Sequence, residues 1–302
     1  MGCLSQIKQE QLYTAIRDCH AEFGYPIEAA CRILHFSRAA YYRWAAGRVG
    51  NRTRENEQIA EVIEQIHEES PDKGYRRIRD DLERYHDIDV NDKRVLRICR
   101  AKSIQSTIKH ANHGCTRHAP NPQHIAENTL NRQFHADKPN EKWLTDVTEF
   151  KYYVGSEVRK VYLSAILDLY DRRIVSFIIR DSNDLPLVFD TLDAAVKAHP
   201  NAHPLFHSDR GFQYTHREFH RKLEKAGMKQ SMSRVGKCID NGPMEGFWGI
   251  LKRERYYGRR FTSREELVGM IGDYITYYNS RRLQRNLGVL TPMEKYAQFL
   301  AA

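Results

Sequence analysis

From Lys142 onward the chain switches repeatedly between two hydrophobic periodicities, and the order of those switches leaves few folds open. "KWLTDVTEFKYY", "KVYLSAILDLY" and "RRIVSFIIRD" are rich in β-branched and aromatic residues and follow one another in quick succession. They read as three strands with tight connections, hence antiparallel. "LPLVFDTLDAAVKA" then has helical spacing, "HPLFHSD" reads as a strand, "REFHRKLEKAG" as a helix and "KQSMS" as a short strand. A further helix covers "NGPMEGFWGILKRERYYG", opened by Asn241 and closed by Gly258. "SREELVGMIGDYITYYNS" begins with a capping box, Ser263 to Glu266, and makes a long terminal helix. Three antiparallel strands, then helix, strand, helix, strand, helix, predict an α/β domain: a mixed five-stranded sheet flanked by helices.

The N-terminal part has helical texture only. "IEAACRILHFSRAAYYRW" places an apolar helix (Ile27, Ala30, Cys31, Leu34) before a short break, with Ser37 as N-cap of a second helix carrying Arg38, Tyr41, Tyr42 and Arg43. A helix-turn-helix and a plain helical hairpin both fit that pattern. Ile59, Val62, Ile63 and Ile66 form one apolar stripe, Tyr75, Ile78, Leu82 and Tyr85 a second, and Val95, Ile98 and Cys99 a third, capped by Asn91. Arg76, Arg77 and Arg79 on the second of these, and Lys93, Arg94, Arg97 and Arg100 on the third, are expected to face solvent. Between His110 and Asn140 the chain is rich in Asn, Pro and His without periodicity and reads as a linker. His110, His113, Cys115 and His118 lie there, but four ligands within nine residues lack the two paired sets of a structural zinc site. No metal is expected at them.

Charge narrows the partner. The 302 residues hold 48 Lys and Arg against 39 Asp and Glu, a net charge of +9. From Gly246 to Arg285 nine basic residues face four acidic ones, with Trp248, Tyr256, Tyr257, Phe261 and Tyr277 interleaved. Such a surface suits a polyanion with stackable bases, although buried aromatics on a solvated helix give the same pattern. Six scattered cysteines without paired spacing fit a reducing cytoplasm, and no apolar run is long enough for a membrane span or a signal peptide. A cytoplasmic protein, bound to the nucleoid when on DNA, is expected.

Three acids stand where the predicted sheet would expose them. Asp146 interrupts an apolar strand, a costly place for a charge unless something pairs with it. Asp209, in "HSDRGFQY", follows the end of its strand, where open α/β sheets bind ligands, although Asp before Gly also makes an ordinary turn. Glu245 falls in the first turn of its helix, with 35 residues between it and Asp209. Carboxylates of this kind suit hard divalent cations, and two such ions sharing a carboxylate can drive in-line displacement at phosphorus. Spacing alone does not single out these three. Glu149 lies on the opposite strand face from Asp146, and Asp168 and Asp171 are more simply placed in a turn or against Arg172 or Arg173.

"WLTDVT", "HSDRGFQY", "SMSRVGKCIDNGPMEGFWGILKRE" and "YYNSRRLQRNLGVLTPMEKY" resemble the catalytic protein of the insertion-sequence-three family of bacterial transposases, relatives of retroviral integrases. "CRILHFSRAAYYRW" and "KGYRRIRDDL" resemble that family's N-terminal part. The resemblance implies a ribonuclease-H-like core with Asp146, Asp209 and Glu245 as catalytic and metal-ligating residues, two Mg²⁺ ions (Mn²⁺ as substitute), cleavage at element ends and strand transfer into target DNA. It implies double-stranded DNA as partner, a homo-oligomer on DNA, and an upstream-frame protein or fusion, since relatives often join such a frame by frameshifting. Gln284 stands where many relatives have His, and Gly246 where Ser is frequent; neither is a ligand. A nuclease that cuts without joining, or a non-catalytic DNA-binding regulator, are the competing functions.

The expected organisation is then a helix-turn-helix-like segment at 1–48, a helical DNA-binding region at 52–109, a linker at 110–134 and an integrase-type core with basic C-terminal helices at 135–300. DNA contacts are expected from Arg43, Arg76, Arg77, Arg210, Lys252, Arg253 and Arg282. Lys252 stands two helical turns after Glu245 on the same face, with Gly249 between them leaving room for a DNA end.

Overall fold

The computed structural model describes residues 4–47, 50–108, 122–234 and 238–302. The chain falls into two compact units, Met1–Thr107 and Ile108–Ala302. Among its described residues the first holds six helices: α1 (Leu4–Phe23), α2 (Ile27–Ile33), α3 (Arg38–Ala45), α4 (Asn51–Glu69), α5 (Tyr75–His86) and α6 (Asp92–Ala101). Its apolar stripes bury in two clusters, Tyr13, Ile16, Cys31 and Tyr41 in one, and Ile63, Ile78, Leu82 and Val95 among the other. Asn91 caps α6 by accepting the Arg94 N–H at 2.8 Å. Ser37 occupies the N-cap of α3 in extended conformation without a side-chain cap bond.

The arginines of this unit correct the expectation that they all face solvent. Arg77 donates to Asp72 (3.1 Å), Arg79 donates to the Val90 carbonyl, and Arg94 bridges Asn56 and Glu55. The acids that dilute the segment's charge are partners of these bases. Arg43 and Arg76 remain exposed.

The second unit is built on β1 (Lys142–Val154), β2 (Glu157–Asp168), β3 (Ile174–Arg180), β4 (Leu205–Ser208) and β5 (Lys229–Met232), in the order β3-β2-β1-β4-β5. The first three pair antiparallel, while β4 lies parallel to β1 and β5 parallel to β4. Alternation along β1 sends Trp143 to one face and Leu144 to the other, and both are fully buried. Trp143 packs with Val188 and Leu192 of α7 (Leu185–Ala198) and Phe219 and Leu223 of α8 (Arg217–Lys225). Leu144 packs with Met244, Phe247 and Leu251 of α9 (Gly242–Leu251) and Leu267, Ile271 and Tyr274 of α10 (Arg264–Ser280).

Four features depart from the sequence expectation. The helix opened by Asn241 does not run unbroken to Gly258: α9 gives way to a π-helical turn, Lys252–Tyr256, where Glu254 turns inward to Tyr274 and Arg282. Ser263 caps α10, but Glu266 returns its carboxylate to the Thr262 N–H rather than to Ser263. A last helix, α11 (Pro292–Leu300), was not anticipated, although Thr291 and Glu294 form a reciprocal capping box with Pro292 at its start.

The expected linker is the fourth. Residues 109–121, with His110, His113, Cys115 and His118, lie outside the described residues. Residues 122–134 are no linker: they lie along the second unit. Leu130 is buried and its N–H reaches Ser231 Oγ (3.1 Å); the His124 N–H reaches the Thr215 carbonyl. Asn128 and Arg132 both meet the buried Asp240, at 3.0 and 2.6 Å. Arg234 first, then Arg132, holds that carboxyl well below the usual carboxylate range.

A core beginning at residue 122 should therefore be more stable to urea than one beginning at 135. Leu130 alone accounts for about 2 kcal/mol of the difference. Equal midpoints would show that the segment merely lies on the surface.

Candidate active site

Strand register brings two of the three predicted acids together. Leu144 of β1 is the partner of His207 of β4 in a parallel pair. Asp146 and Asp209 each lie two residues further on, so the same register sets them side by side, on the face that Leu144 shares with α9. Glu245 sits in the first turn of α9 and reaches the same end of the sheet. Asp209 interacts electrostatically with both Asp146 and Glu245.

Each carboxylate is held by local donors. Asp146 Oδ1 accepts the Val147 N–H at 2.8 Å, and Oδ2 accepts the indole N–H of Trp248 at 3.0 Å. Asp209 Oδ1 accepts the Gly211 N–H at 2.8 Å. Glycine keeps that loop uncrowded: a Cβ on residue 211 would stand 3.0 Å from Asp209 Oδ1 and 3.2 Å from Gln213 Oε1, so one of them would have to shift. The Asp-Gly turn and the half-buried Asp209 carboxylate are thus one construction. Beneath the pair, the buried Tyr214 hydroxyl lies 3.3 Å from Thr145 Oγ1. Burial, then Asp146 and Asp209, raises its pKa well above the ordinary phenol value.

Burial pushes the Asp146 carboxyl up to about 8, with Asp209 and more weakly Glu245 adding repulsion and the two N–H donors opposing it. Glu245 is raised by burial and then by Asp209. Among the described residues no three of His, Cys, Asp and Glu are gathered into a ready-made metal cluster. The donor set nevertheless fits a hard divalent ion: oxygen ligands only, from three anionic groups that repel one another where nothing neutralises them. Sequence reasoning set Trp248 among the aromatics of a basic surface and took Asn241 for a helix opener. Both touch β1 at the site, Asn241 Nδ2 donating to the Thr145 carbonyl at 3.1 Å. The signal for Trp248 was its i+3 spacing from Glu245.

The acids set aside as structural are so placed. Asp168 is buried and accepts from the Asn140 and Tyr170 N–H groups and the Trp143 indole. Asp171 pairs with Arg173 (3.0 Å), whose guanidinium also stacks 3.9 Å from the Tyr296 ring.

The predicted basic contacts divide. Lys252 is half-buried with Nζ 5.0 Å from the Phe150 ring. Burial lowers its pKa, and Glu149 and Asp146 partly offset that. Arg253 lies over Gly249, its Nη1 3.1 Å from where a Cβ would stand, so the gap beside Glu245 already holds a guanidinium. Arg210 donates to the Ser233 carbonyl at 2.8 Å, next to Asp209. Arg282 requires correction: it is buried against Glu254 (2.8 Å), which keeps it charged despite its burial. That pairing leaves only 12% of its side chain exposed. Arg43, Arg76 and Arg77 belong to the other compact unit.

Residues 136–238 and 245–300 each match an integrase core domain, and residues 54–112 match an HTH-like domain. The chain is 36% identical over 273 residues to InsK, the transposase ascribed to insertion sequence element IS150 of Escherichia coli, covering 89% of this chain and 93% of that one. It is 39% identical to an uncharacterized transposase-like protein of Haemophilus influenzae, over 70% of this chain and 96% of the other. Against InsF, the transposase of insertion sequence IS3A of Escherichia coli, identity is 29% over 93% of this chain and 96% of the relative.

A carboxyl that keeps its proton to about 8 in the fold, and releases it at about 4 when unfolded, destabilises the fold as pH climbs through that window. Below the window the contribution is absent. Without divalent ions, Asp146→Asn should melt no higher than the parent at acid pH and a few degrees higher at alkaline pH. Parallel melting profiles across that range would remove charge repulsion from the account.

Proposed function

The chain belongs to the insertion-sequence-three family of bacterial transposases, polynucleotidyl transferases that act in DNA transposition, and from that premise we propose that it cleaves the ends of its element and joins them to target DNA by in-line phosphoryl transfer. Asp146, Asp209 and Glu245 would hold the divalent cations, two Mg²⁺ replaceable by Mn²⁺. The observation that carries this reading is Asp209 acting on both Asp146 and Glu245, so that three carboxylates share one corner of the sheet. Ions held there supply Lewis-acid activation of the attacking oxygen and stabilisation of the leaving one.

The remaining work falls to the chain's own side chains. Val147 and Trp248 orient the Asp146 carboxylate, and Gly211 orients that of Asp209. Lys252 lies near Asp146, Arg253 over Gly249 and Arg210 beside Asp209. Those placements support backbone phosphate contacts flanking the scissile bond. In the helical unit the exposed Arg43 and Arg76 are the better candidates for holding element ends, since Arg77 already pairs with Asp72. Double-stranded DNA, a second protomer to pair two ends, and an upstream-frame protein or fusion are the partners of this reading. Among the described residues no helix is long and apolar enough to cross a membrane.

Two measurements test the proposal. Asp209→Asn or Glu245→Gln should reduce joining of a pre-cut 3′-OH end to target DNA by at least ~100-fold while the protein stays folded. Joining at the parent rate in either variant would overturn the ligand set. Lys252→Ala should weaken DNA binding irrespective of sequence and lower the salt slope by ~1. An unchanged slope with normal joining would make Lys252 an ordinary helix residue.

A further inference from the structure

Helix α9 is tied to β1 at two consecutive residues of the strand. Asn241, at the helix N-cap and 3% exposed, donates Nδ2 to the carbonyl of Thr145 at 3.1 Å. Trp248, 7% exposed, donates its indole N–H to Oδ2 of Asp146 at 3.0 Å. Glu245 lies between them, four residues after one and three before the other, so the three share one stripe of the helix. The two bonds clamp the turn that carries the third carboxylate onto the peptide that carries the first.

Packing does not account for the polar atoms in these bonds. The indole sits in the apolar layer with Phe247, ring centroids 5.1 Å apart, where a phenyl ring would fill much of the same space without an N–H. Asn241 Oδ1 is buried with no hydrogen-bond partner, so its amide brings a desolvation cost for one bond to a backbone carbonyl. That bond also fixes the amide's orientation, since the reverse flip would set two oxygens against each other. With the Val147 N–H on Oδ1 and the indole on Oδ2, both Asp146 oxygens are aimed, and each keeps a lone pair for a cation.

We infer that Trp248 and Asn241 are positioning residues of the active site, setting the register of α9 on β1 and with it the spacing at which Glu245 and Asp146 serve one divalent-ion site. This rests on the reading of the three carboxylates as metal ligands. Outer partners of this kind govern ligand geometry, and their loss typically lowers metal affinity 10- to 100-fold.

The test compares the full-length parent with Trp248→Phe, Asn241→Ala and Glu245→Gln. Melting temperature is followed first in EDTA and then against rising Mg²⁺, and joining of a pre-cut end is followed over the same series. Trp248→Phe should raise the half-saturating Mg²⁺ concentration by about 10-fold in both readouts, with joining largely recovered at saturating Mg²⁺. Asn241→Ala should move it in the same direction and leaves a second route should Trp248→Phe fold poorly. A lower melting temperature in EDTA with an unmoved half-saturation in both variants would overturn the inference and leave the pair as packing residues. If that happens while Glu245→Gln abolishes the Mg²⁺ response, only the positioning role falls. If Glu245→Gln also keeps the parent's response, the ligand reading itself is wrong.

Discussion

Repulsion between Asp146 and Asp209, set side by side by the parallel register of β1 on β4, is the constraint around which the core is arranged. Two carboxylates in adjacent strands, partly removed from water, are unfavourable unless protons or cations compensate them. The fold sustains the arrangement through the apolar layers on either side. Trp143 and Phe206 lock the two strands against α7 and α8, and Leu144 and Phe150 lock β1 against α9 and α10. The charged corner is a local cost carried by a large buried core.

The treatment of the other buried acids makes the contrast sharp. Asp240 is met by Arg234 and Arg132, Asp171 by Arg173 and Glu254 by Arg282. Each of these has a guanidinium within hydrogen-bond reach and serves to join elements: the 122–134 segment to the turn before α9, β3 to α11 through Tyr296, and the π-helical turn to α10. Asp146 instead receives two neutral N–H donors, one from its own strand and one from Trp248. Neutral donors orient a carboxylate without neutralising it, which leaves its charge for a ligand. Asp168 also receives neutral N–H donors, whereas Asp146 receives them while facing a second carboxylate across the register.

Much of this was legible in the residues. Strand and helix order, the N-cap of α6 at Asn91 and the placing of Asp146 within a strand, Asp209 just past one and Glu245 at a helix start follow from periodicity and capping, which are local. α11 was legible too, since Thr-Pro-x-Glu at residues 291–294 is a helix start, but its brevity and position after a long helix hid it. The pairing of Arg282, expected as a DNA contact, with Glu254 was hidden for a different reason. A basic residue in a basic stretch looks exposed until the acid that buries it, 28 residues away, is seen.

The sequence by itself determined which segments become strands and helices, because those depend on neighbours within a few positions along the chain. Only the tertiary structure decided the partners. Arg132 meets Asp240 across 108 residues and Trp248 meets Asp146 across 102, and neither pairing has a local signature. The same lysine or arginine can serve a phosphate or a buried carboxylate, and the indole of one tryptophan can be filler or donor. Which it becomes depends on where distant backbone places the complementary group, since hydrogen bonds and ion pairs act over a few ångströms of space and are blind to separation in sequence.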